Sequence, residues 1–320
     1  MTQRVAAIDC GTNSLRLLIA DVDTVRHALT DIERRMEIVR LGQGVDATGR
    51  LAPDALGRTM AVLAQYAGDI ARTRASVIRM VATSATRDAS NAAEFTDGVR
   101  QTLGVLPEVI SGQEEAALSF TGATAELGRG GVAGGAAPPQ PPYLVVDIGG
   151  GSTEFVLGSG EPGAGLAAIS VDVGCVRLTE RHLHSDPPPP AEVAAARADV
   201  DRALADVAAV VPVAEARTLV GLAGSVTTVT AIALGLPAYD PRRTHHARLR
   251  AADVRRVTDL LLGQTHAERA AIGSLHPGRV DVIGAGALIL DRLMERFGFA
   301  EVVTSEHDIL DGIAWSMARE

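Results

Sequence analysis

One short stretch of the sequence combines two carboxylates, three glycines and two hydroxyls, a combination suited to phosphate and metal chemistry. Asp147 ends one apolar run, Glu154 opens the next, and between them lie Gly149, Gly150, Gly151, Ser152 and Thr153. Glycines let the main chain approach an anion, and successive N–H groups in such a turn form a concave site for phosphate oxygens. Asp147 could also bind a hard cation that bridges those oxygens. A glycine-rich hairpin without a ligand is the alternative, because a glycine loop alone is a weak signal.

The same pattern occurs a second time near the N-terminus. Asp9 ends an apolar run, Leu15 to Ala20 forms the next one, and between them lie Gly11, Thr12, Asn13 and Ser14. Each copy predicts a strand, a tight turn and a second strand. Two copies so far apart predict two similar domains, and we expect their hairpin loops to face one another across an interdomain cleft, where ligand sites tend to lie.

Two further candidate phosphate sites follow predicted strands. Arg87 comes after the strand 76–82 in a loop rich in hydroxyls, and its planar guanidinium could hold a phosphate. Gly224 and Ser225 follow the strand 218–222 at the start of a helix, where main-chain amides suit an anion. The alternative for Arg87 is an ordinary surface arginine beside a helix N-terminus.

A pair of adjacent glutamates, Glu114 and Glu115, opens a predicted helix. Neighbouring helical residues point about 100° apart, so at most one of the two can face a cleft squarely. Acidic residues in a first helical turn are also favoured by the helix dipole, which is the alternative explanation for both. A basic segment from Arg242 to Arg250, predicted as a polar loop, could guide a polyanion or be a solvated surface. Cys175 is expected to be a small packed thiol.

The composition excludes several classes of protein. The chain has 320 residues, 47% of them hydrophobic and 22% charged, which is typical of a soluble globular protein large enough for two domains. A net charge of −9 argues against general nucleic-acid binding. All 30 basic residues are arginine, so a P-loop lysine is excluded. Two cysteines and no transmembrane-length apolar run favour a cytoplasmic protein without membrane contacts.

The predicted organisation has two domains and a linker. Domain I covers residues 1–125, a segment rich in Gly, Ala and Pro at 126–142 forms the linker, and domain II covers 143–304. A terminal helix within 305–320, with Ser305 as its cap, has an apolar face that needs a core, and we expect it to pack back on domain I.

These motifs together resemble one known family. The stretches that carry the resemblance are Asp9 to Ser14, Ala82 to Arg87, Ile110 to Ala116, Asp147 to Glu154 and Gly174 to Thr179. In this order they resemble the exopolyphosphatase and guanosine pentaphosphate phosphatase (Ppx/GppA) family across most of the chain. The resemblance implies two related α/β domains with five-stranded sheets and an interdomain cleft, the ribonuclease H-like fold of acetate kinase, sugar kinases, Hsp70 and actin. It also implies the short form of the family, without a C-terminal helical domain, and a homodimer.

By the same resemblance, Glu115 is the catalytic base that activates water. Asp147 and Glu154 are catalytic residues that position the water and, together with Asp9, a Mg²⁺ or Mn²⁺ ion. The loops Gly11 to Ser14 and Gly149 to Thr153 would hold phosphates, with Arg87 near the terminal group. The segment from Asp308 to Gly312 departs from the Ala-Leu-Arg-Glu-Gly-like run that is common in the family.

The leading hypothesis is hydrolysis of the terminal phosphate of inorganic polyphosphate, by in-line attack of water. The nearest alternative is removal of the 5′-phosphate of guanosine pentaphosphate. A kinase of the same fold is a third hypothesis, and a noncatalytic sensor of polyphosphate or alarmones is a fourth.

Overall fold

The computed structural model describes residues 2–127, 138–161 and 164–318. The chain divides into two compact units. The first, here called the outer unit, consists of Met1–Gly122 and Ile309–Glu320, and the second, the central unit, consists of Ala123–Asp308. Most of the predicted linker, residues 128–137, lies outside the described residues.

Within the described residues, the outer unit contains five strands and six helices. Its elements are β1 (Thr2–Cys10), β2 (Ser14–Asp23), β3 (Ala28–Ile38), α1 (Val45–Thr48), α2 (Pro53–Thr73), β4 (Val77–Ala82), α3 (Ser84–Arg87), α4 (Ala92–Leu103), β5 (Glu108–Val109), α5 (Gly112–Thr124, which ends just inside the central unit) and, much later in the chain, α13 (Ile309–Met317).

The central unit begins with the second glycine-rich hairpin. Its elements are β6 (Tyr143–Ile148), β7 (Thr153–Gly158), β8 (Ala167–Val171), α6 (Cys175–His182), α7 (Pro190–Val210), β9 (Thr218–Leu222), α8 (Ala223–Ala233), α9 (Pro241–Thr244), β10 (Arg248–Arg250), α10 (Ala251–Gly263), α11 (His266–Ala270), α12 (Ile283–Phe297) and β11 (Glu301–Thr304).

The two sheets share one topology, as the repeated motif predicts. The outer sheet has the order β3-β2-β1-β4-β5, and the central sheet has the order β8-β7-β6-β9-β11-β10. In both, each of the first three strands is antiparallel to its neighbour among them, and the next two run parallel to the hairpin's first strand. The expectation of two five-stranded sheets is wrong for the central unit, because Arg248–Arg250 adds a sixth, antiparallel edge strand.

Both faces of the outer sheet are covered, which explains why β1 is apolar along its length. Ala6 and Ile8 pack in a core with Tyr66 of α2 and Phe95 of α4. Val5 and Ala7 point the other way, because side chains alternate along a strand, and belong to a second core that includes α13. A strand buried on both faces reads as a continuous apolar run.

The terminal helix completes the second of these cores. Ile309, Leu310 and Ile313 of α13 are fully buried there. A Cβ at Gly312 would overlap the carbonyl oxygen of Leu118 in α5, so glycine allows the two backbones to approach closely. The predicted return of a terminal helix to the first half of the chain is therefore seen in the outer unit.

Two residues of this terminal segment that the sequence analysis singled out have contacts of their own. The helix begins at Ile309, so Ser305 is not its cap; the Ser305 hydroxyl instead bonds the backbone of His307. Asp311, within the segment that departs from the family pattern, is buried and accepts two hydrogen bonds from Arg34 of β3.

Candidate active site

The two glycine-rich turns have the same main-chain geometry. In the outer unit the Gly11 N–H donates to the Ser14 carbonyl, and in the central unit the Gly149 N–H donates to the Ser152 carbonyl, with N–O distances of 3.0 and 3.1 Å. These two amides close the turns. The phosphate-binding role predicted for the loops would therefore fall on the amides and hydroxyls that follow them: Thr12, Asn13 and Ser14 in one turn, Gly150, Gly151, Ser152 and Thr153 in the other.

Each hairpin also carries one cross-strand pair next to its turn. Asp147 lies opposite Glu154 in the β6–β7 ladder, and Asp9 lies opposite Arg16 at the equivalent position of the β1–β2 ladder. Residues directly opposite one another in an antiparallel pair have side chains on the same face. The central unit thus places two buried carboxylates together, whereas the outer unit places a carboxylate beside a guanidinium.

This difference distinguishes Asp9 from Asp147 and Glu154 as candidate metal ligands. Oδ2 of Asp9 accepts hydrogen bonds from Nε and Nη2 of Arg16, at 2.9 and 2.6 Å. The arginine neutralises that carboxylate, so Asp9 is a poorer ligand for a divalent cation than its motif suggests. Asp147 and Glu154 fit such a cation better, since they present two buried carboxylates on one face and hard cations prefer carboxylate oxygens. Ser170 of β8 donates to Oε1 of Glu154 and orients it.

The carbonyls of the glycine-rich turn in the central unit accept hydrogen bonds from the start of α6. The N–H of Cys175 donates to the Gly149 oxygen, and the N–H of Val176 donates to the Gly150 oxygen, both at 2.9 Å. The turn thus uses the first amides of α6 for its own carbonyls. A Cβ at Gly174 would overlap the Gly150 carbonyl, so this close packing requires glycine.

A side chain of the same motif adds a further contact to this turn. Nε of Arg177 donates to the Gly151 carbonyl at 2.7 Å. The segment Gly174 to Thr179, noticed in the sequence only as part of the resemblance, is therefore the support of the predicted phosphate loop.

The outer turn is supported in a comparable way. The Asn13 carbonyl accepts from the N–H groups of Val39 and Arg40, and the Thr12 carbonyl accepts from Gly42. Thr12 Oγ1 also lies 2.9 Å from Ser84 Oγ, so the turn is tied to the segment after β4.

That segment and the start of α5 bring Arg87 and Glu115 together. Residues 84–87 form a short helix rather than a loop, and Nη1 of Arg87 donates to the Ile110 carbonyl at 2.9 Å while lying 3.4 Å from Oε2 of Glu115. Glu114 instead pairs with Arg79 at 2.9 Å and is half exposed, whereas the Glu115 side chain is 11% exposed. Of the two glutamates, Glu115 is the one that lies beside the predicted phosphate-binding residue Arg87.

Sequence reasoning missed one arginine that lies at the predicted phosphate site formed by Gly224 and Ser225. Nη1 of Arg279 contacts the Gly224 carbonyl and Thr228 Oγ1 at 3.3 and 3.4 Å, and a Cβ at Gly224 would overlap the guanidinium. This arginine lies in the His-Pro-Gly-Arg turn before α12, which does not resemble a phosphate-binding motif. The sequence therefore carries no signal for its position. Gly224 therefore accommodates a cation at the start of α8.

Ser225 has a packing role in addition. A Cβ at Gly286 of α12 would overlap its hydroxyl, and burial raises the pKa of the Cys175 thiol even though the hydrogen bond from Ser225 acts to lower it. Burial is the main cause of the raised pKa, which agrees with a packed rather than reactive cysteine.

The basic segment Arg242 to Arg250 is partly neutralised by acidic neighbours. Arg248 pairs with Glu301 at 2.5 Å and Arg250 with Asp253 at 2.9 Å, and both arginines belong to the edge strand β10. Arg242 and Arg243 are exposed in α9.

Among the residues that the structure describes, no helix is both long and apolar enough to cross a membrane.

The chain was compared with protein families and with known proteins. A model described as the Ppx/GppA phosphatase family matches residues 18–320. Exopolyphosphatase 2 of Mycobacterium tuberculosis is 51% identical over 98% of both chains. A guanosine-5′-triphosphate,3′-diphosphate pyrophosphatase of Vibrio cholerae is 37% identical over 56% of this chain and 33% of its own.

Among solved structures, the PPX-GPPA enzyme of Aquifex aeolicus superposes with a TM-score of 0.79 at 31% identity, covering 99% of this chain and 100% of that one. The predicted fold class, that of acetate kinase, sugar kinases, Hsp70 and actin, is confirmed.

Proposed function

The chain belongs to the Ppx/GppA phosphatase family, and from this we propose that it is an exopolyphosphatase, a hydrolase that releases orthophosphate from the end of inorganic polyphosphate. The observation that carries the proposal is the 51% identity to an exopolyphosphatase over nearly the whole of both chains. The candidate site is compatible with this chemistry, because phosphoryl transfer needs anion binding and charge neutralisation more than covalent catalysis.

In the proposed mechanism Glu115 is the general base that takes a proton from the attacking water. Its side chain is nearly buried and is held beside Arg87, whose guanidinium would neutralise the terminal phosphate and help to place it in line. The proposal requires residues of both units to act on the same phosphate.

The proposed cofactor is Mg²⁺ or Mn²⁺, held by Asp147 and Glu154. The cation would neutralise phosphate oxygens, and the turn from Gly150 to Thr153 would supply amide and hydroxyl donors to the same anion. Asp9 is assigned a smaller role than its motif suggests, because Arg16 occupies one of its oxygens.

Guanosine pentaphosphate is the second candidate substrate. It is favoured by the similarity to the V. cholerae protein, which is lower and covers a smaller part of the chain than the similarity to the exopolyphosphatase. Both substrates end in a phosphoanhydride, so the same catalytic groups would serve either.

The test is metal-dependent release of orthophosphate from short polyphosphate, long polyphosphate, guanosine pentaphosphate and ATP, measured in parallel for the wild type and Glu115→Ala. We expect release from polyphosphate by the wild type only. Release from guanosine pentaphosphate alone would move the assignment to the second candidate. Binding of polyphosphate without release from any substrate would indicate the noncatalytic sensor instead.

A cytoplasmic location and a homodimer, both expected from the sequence, remain predictions. Light scattering coupled to size-exclusion chromatography tests the second directly.

A further inference from the structure

Three side chains of the central unit form a cluster with metal-binding chemistry outside the candidate active site. Glu126 follows α5, His245 follows α9, and His307 follows β11. One potential ligand atom from each of the three lies within 4.8 Å of the others. We propose that Glu126, His245 and His307 form a binding site for a transition-metal ion of the Zn²⁺ class.

The contacts within the cluster are short and specific. Nδ1 of His307 lies 3.5 Å from Oε2 of Glu126, and the rings of His245 and His307 are 4.7 Å apart between centroids. His246 stacks on His245 with 3.7 Å between the ring centroids and helps to hold that ring in position. Three of the chain's eight histidines thus lie side by side.

Two imidazoles and one carboxylate are a donor set that suits Zn²⁺ and its neighbours in the first transition row. Mg²⁺ prefers oxygen ligands only, so the Asp147 and Glu154 pair and this cluster select different metals. The cluster carries one formal negative charge when both histidines are neutral, and Glu306 and Asp308 flank His307 in the chain. A cation is therefore the favoured occupant.

Binding requires a modest local rearrangement. The three ligand atoms lie within 4.8 Å of one another, and ligand bonds of about 2.1 Å limit two ligands of one ion to a separation of about 4.2 Å, so any pair farther apart than this must move closer. The Glu126 side chain is 51% exposed and can supply this movement. The Glu306 N–H also donates to Nδ1 of His245 at 3.1 Å, and coordination of His245 must shift or break that bond. We therefore expect micromolar rather than tighter affinity.

The cluster lies close in sequence to both points at which the chain passes between the two units. The chain passes from the outer to the central unit after Gly122 and returns after Asp308. Glu126 lies four residues beyond the first crossing and His307 one residue before the second. A metal bound by both would link the two connecting segments.

The test is equilibrium dialysis of the metal-free, full-length protein against Co²⁺ or Zn²⁺ in excess Mg²⁺, which occupies oxygen-only sites. We expect one Co²⁺ or Zn²⁺ per chain, with the visible absorption of cobalt in a nitrogen-containing site, and a rise in Tm on addition. Glu126→Gln and His307→Ala should each weaken binding about ten-fold or more. Their Tm without metal shows whether they are folded.

His266→Ala is the matched control, because His266 is a half-exposed histidine of the same unit that pairs with Asp281 at 2.9 Å. It should bind metal like the wild type. The proposal is overturned if the wild type retains no metal, if the folded cluster variants retain it with unchanged affinity, or if His266→Ala is the variant that loses it.

Discussion

Glu114 and Glu115 are adjacent in the chain, yet they have different arginine partners. Glu114 bonds Arg79 on an exposed part of the outer unit, and Glu115 is nearly buried beside Arg87. The 100° between neighbouring helical residues is the cause, and Ser111, whose hydroxyl accepts from the Glu114 N–H, fixes where the helix starts.

The first prediction uses this pair as its own control. Glu115→Gln keeps the side chain's shape but removes the proposed base, so kcat for phosphate release from polyphosphate should fall about 10²- to 10⁴-fold. Glu114→Gln should stay within about two-fold of the wild type, because exposed ion pairs contribute little. Equal losses in both variants would contradict the assignment of Glu115.

The second prediction concerns the metal. Asp147→Asn should raise the Mg²⁺ concentration needed for half-maximal activity about ten-fold or more, because it removes one of the two facing carboxylates. Asp9→Asn should change that concentration far less, since Arg16 already neutralises Asp9. A titration of phosphate release with Mg²⁺ checks both. A larger shift in Asp9→Asn than in Asp147→Asn would contradict the assignment of the metal to the central unit.

The third prediction tests the support of the central turn. In Gly174→Ala the new methyl group collides with the Gly150 carbonyl and must displace the turn. We expect KM for polyphosphate to rise about ten-fold, because a small misplacement of binding groups is costly for catalysis, and Tm to fall as well, because the methyl group meets backbone atoms that must move. Gly165→Ala, where a Cβ meets no neighbouring atom within 4 Å, is the control. An unchanged KM in Gly174→Ala would show that the turn does not hold the substrate.

The fourth prediction concerns stability. Gly312→Ala drives a methyl group into the Leu118 carbonyl and should destabilise the outer unit by about 1–3 kcal/mol, the usual cost of overpacking. Gly68→Ala lies on an exposed face of α2 with open space around it and should stabilise the same unit by about 0.5–1 kcal/mol. Urea denaturation of both variants measures the difference, and the same sign in both would refute the explanation.

The fifth prediction is a pH dependence of stability whose sign is opposite to that of most ion-paired carboxylates. Burial raises the pKa of Asp291, although Arg255 donates to it at 3.3 Å. A carboxyl with a higher pKa in the folded state favours folding below its unfolded value of 3.8, and this contribution is lost as the pH rises through the folded value. Asp291→Asn should therefore raise Tm near neutral pH and lose this advantage below about pH 4.

Asp253→Asn is the control of opposite sign. A hydrogen bond from Arg250 lowers the pKa of Asp253, so its contribution is present above 3.8 and lost as the pH falls through the folded value. This variant should lower Tm at neutral pH. Differential scanning fluorimetry across the pH range measures both variants, and a lower Tm for Asp291→Asn at neutral pH would contradict the account of Asp291.

Local patterns were enough to predict the hairpins and the repeat, because a turn between two apolar strands is specified by adjacent residues. The edge strand β10 was missed because its alternating arginines, Arg248 and Arg250, pair with Glu301 and Asp253 and look like a solvated basic loop in sequence. The pairing of Asp9 with Arg16 depends on strand register, and the contact of Arg279 with Gly224 joins residues 55 positions apart. Such long-range contacts leave no local pattern.

The return of α13 to the outer unit also has a consequence for synthesis on the ribosome. Strands β1 and β2 are translated first, but the core on one face of their sheet, which also includes Ile110 and Leu118, is completed only when residues 309–317 have been made, after the whole central unit. During translation that face exposes Val5, Ala7 and Leu18, an apolar surface open to chaperones or to aggregation. The order of folding must therefore differ from the order of synthesis, and the earliest part of the chain is among the last to be completed.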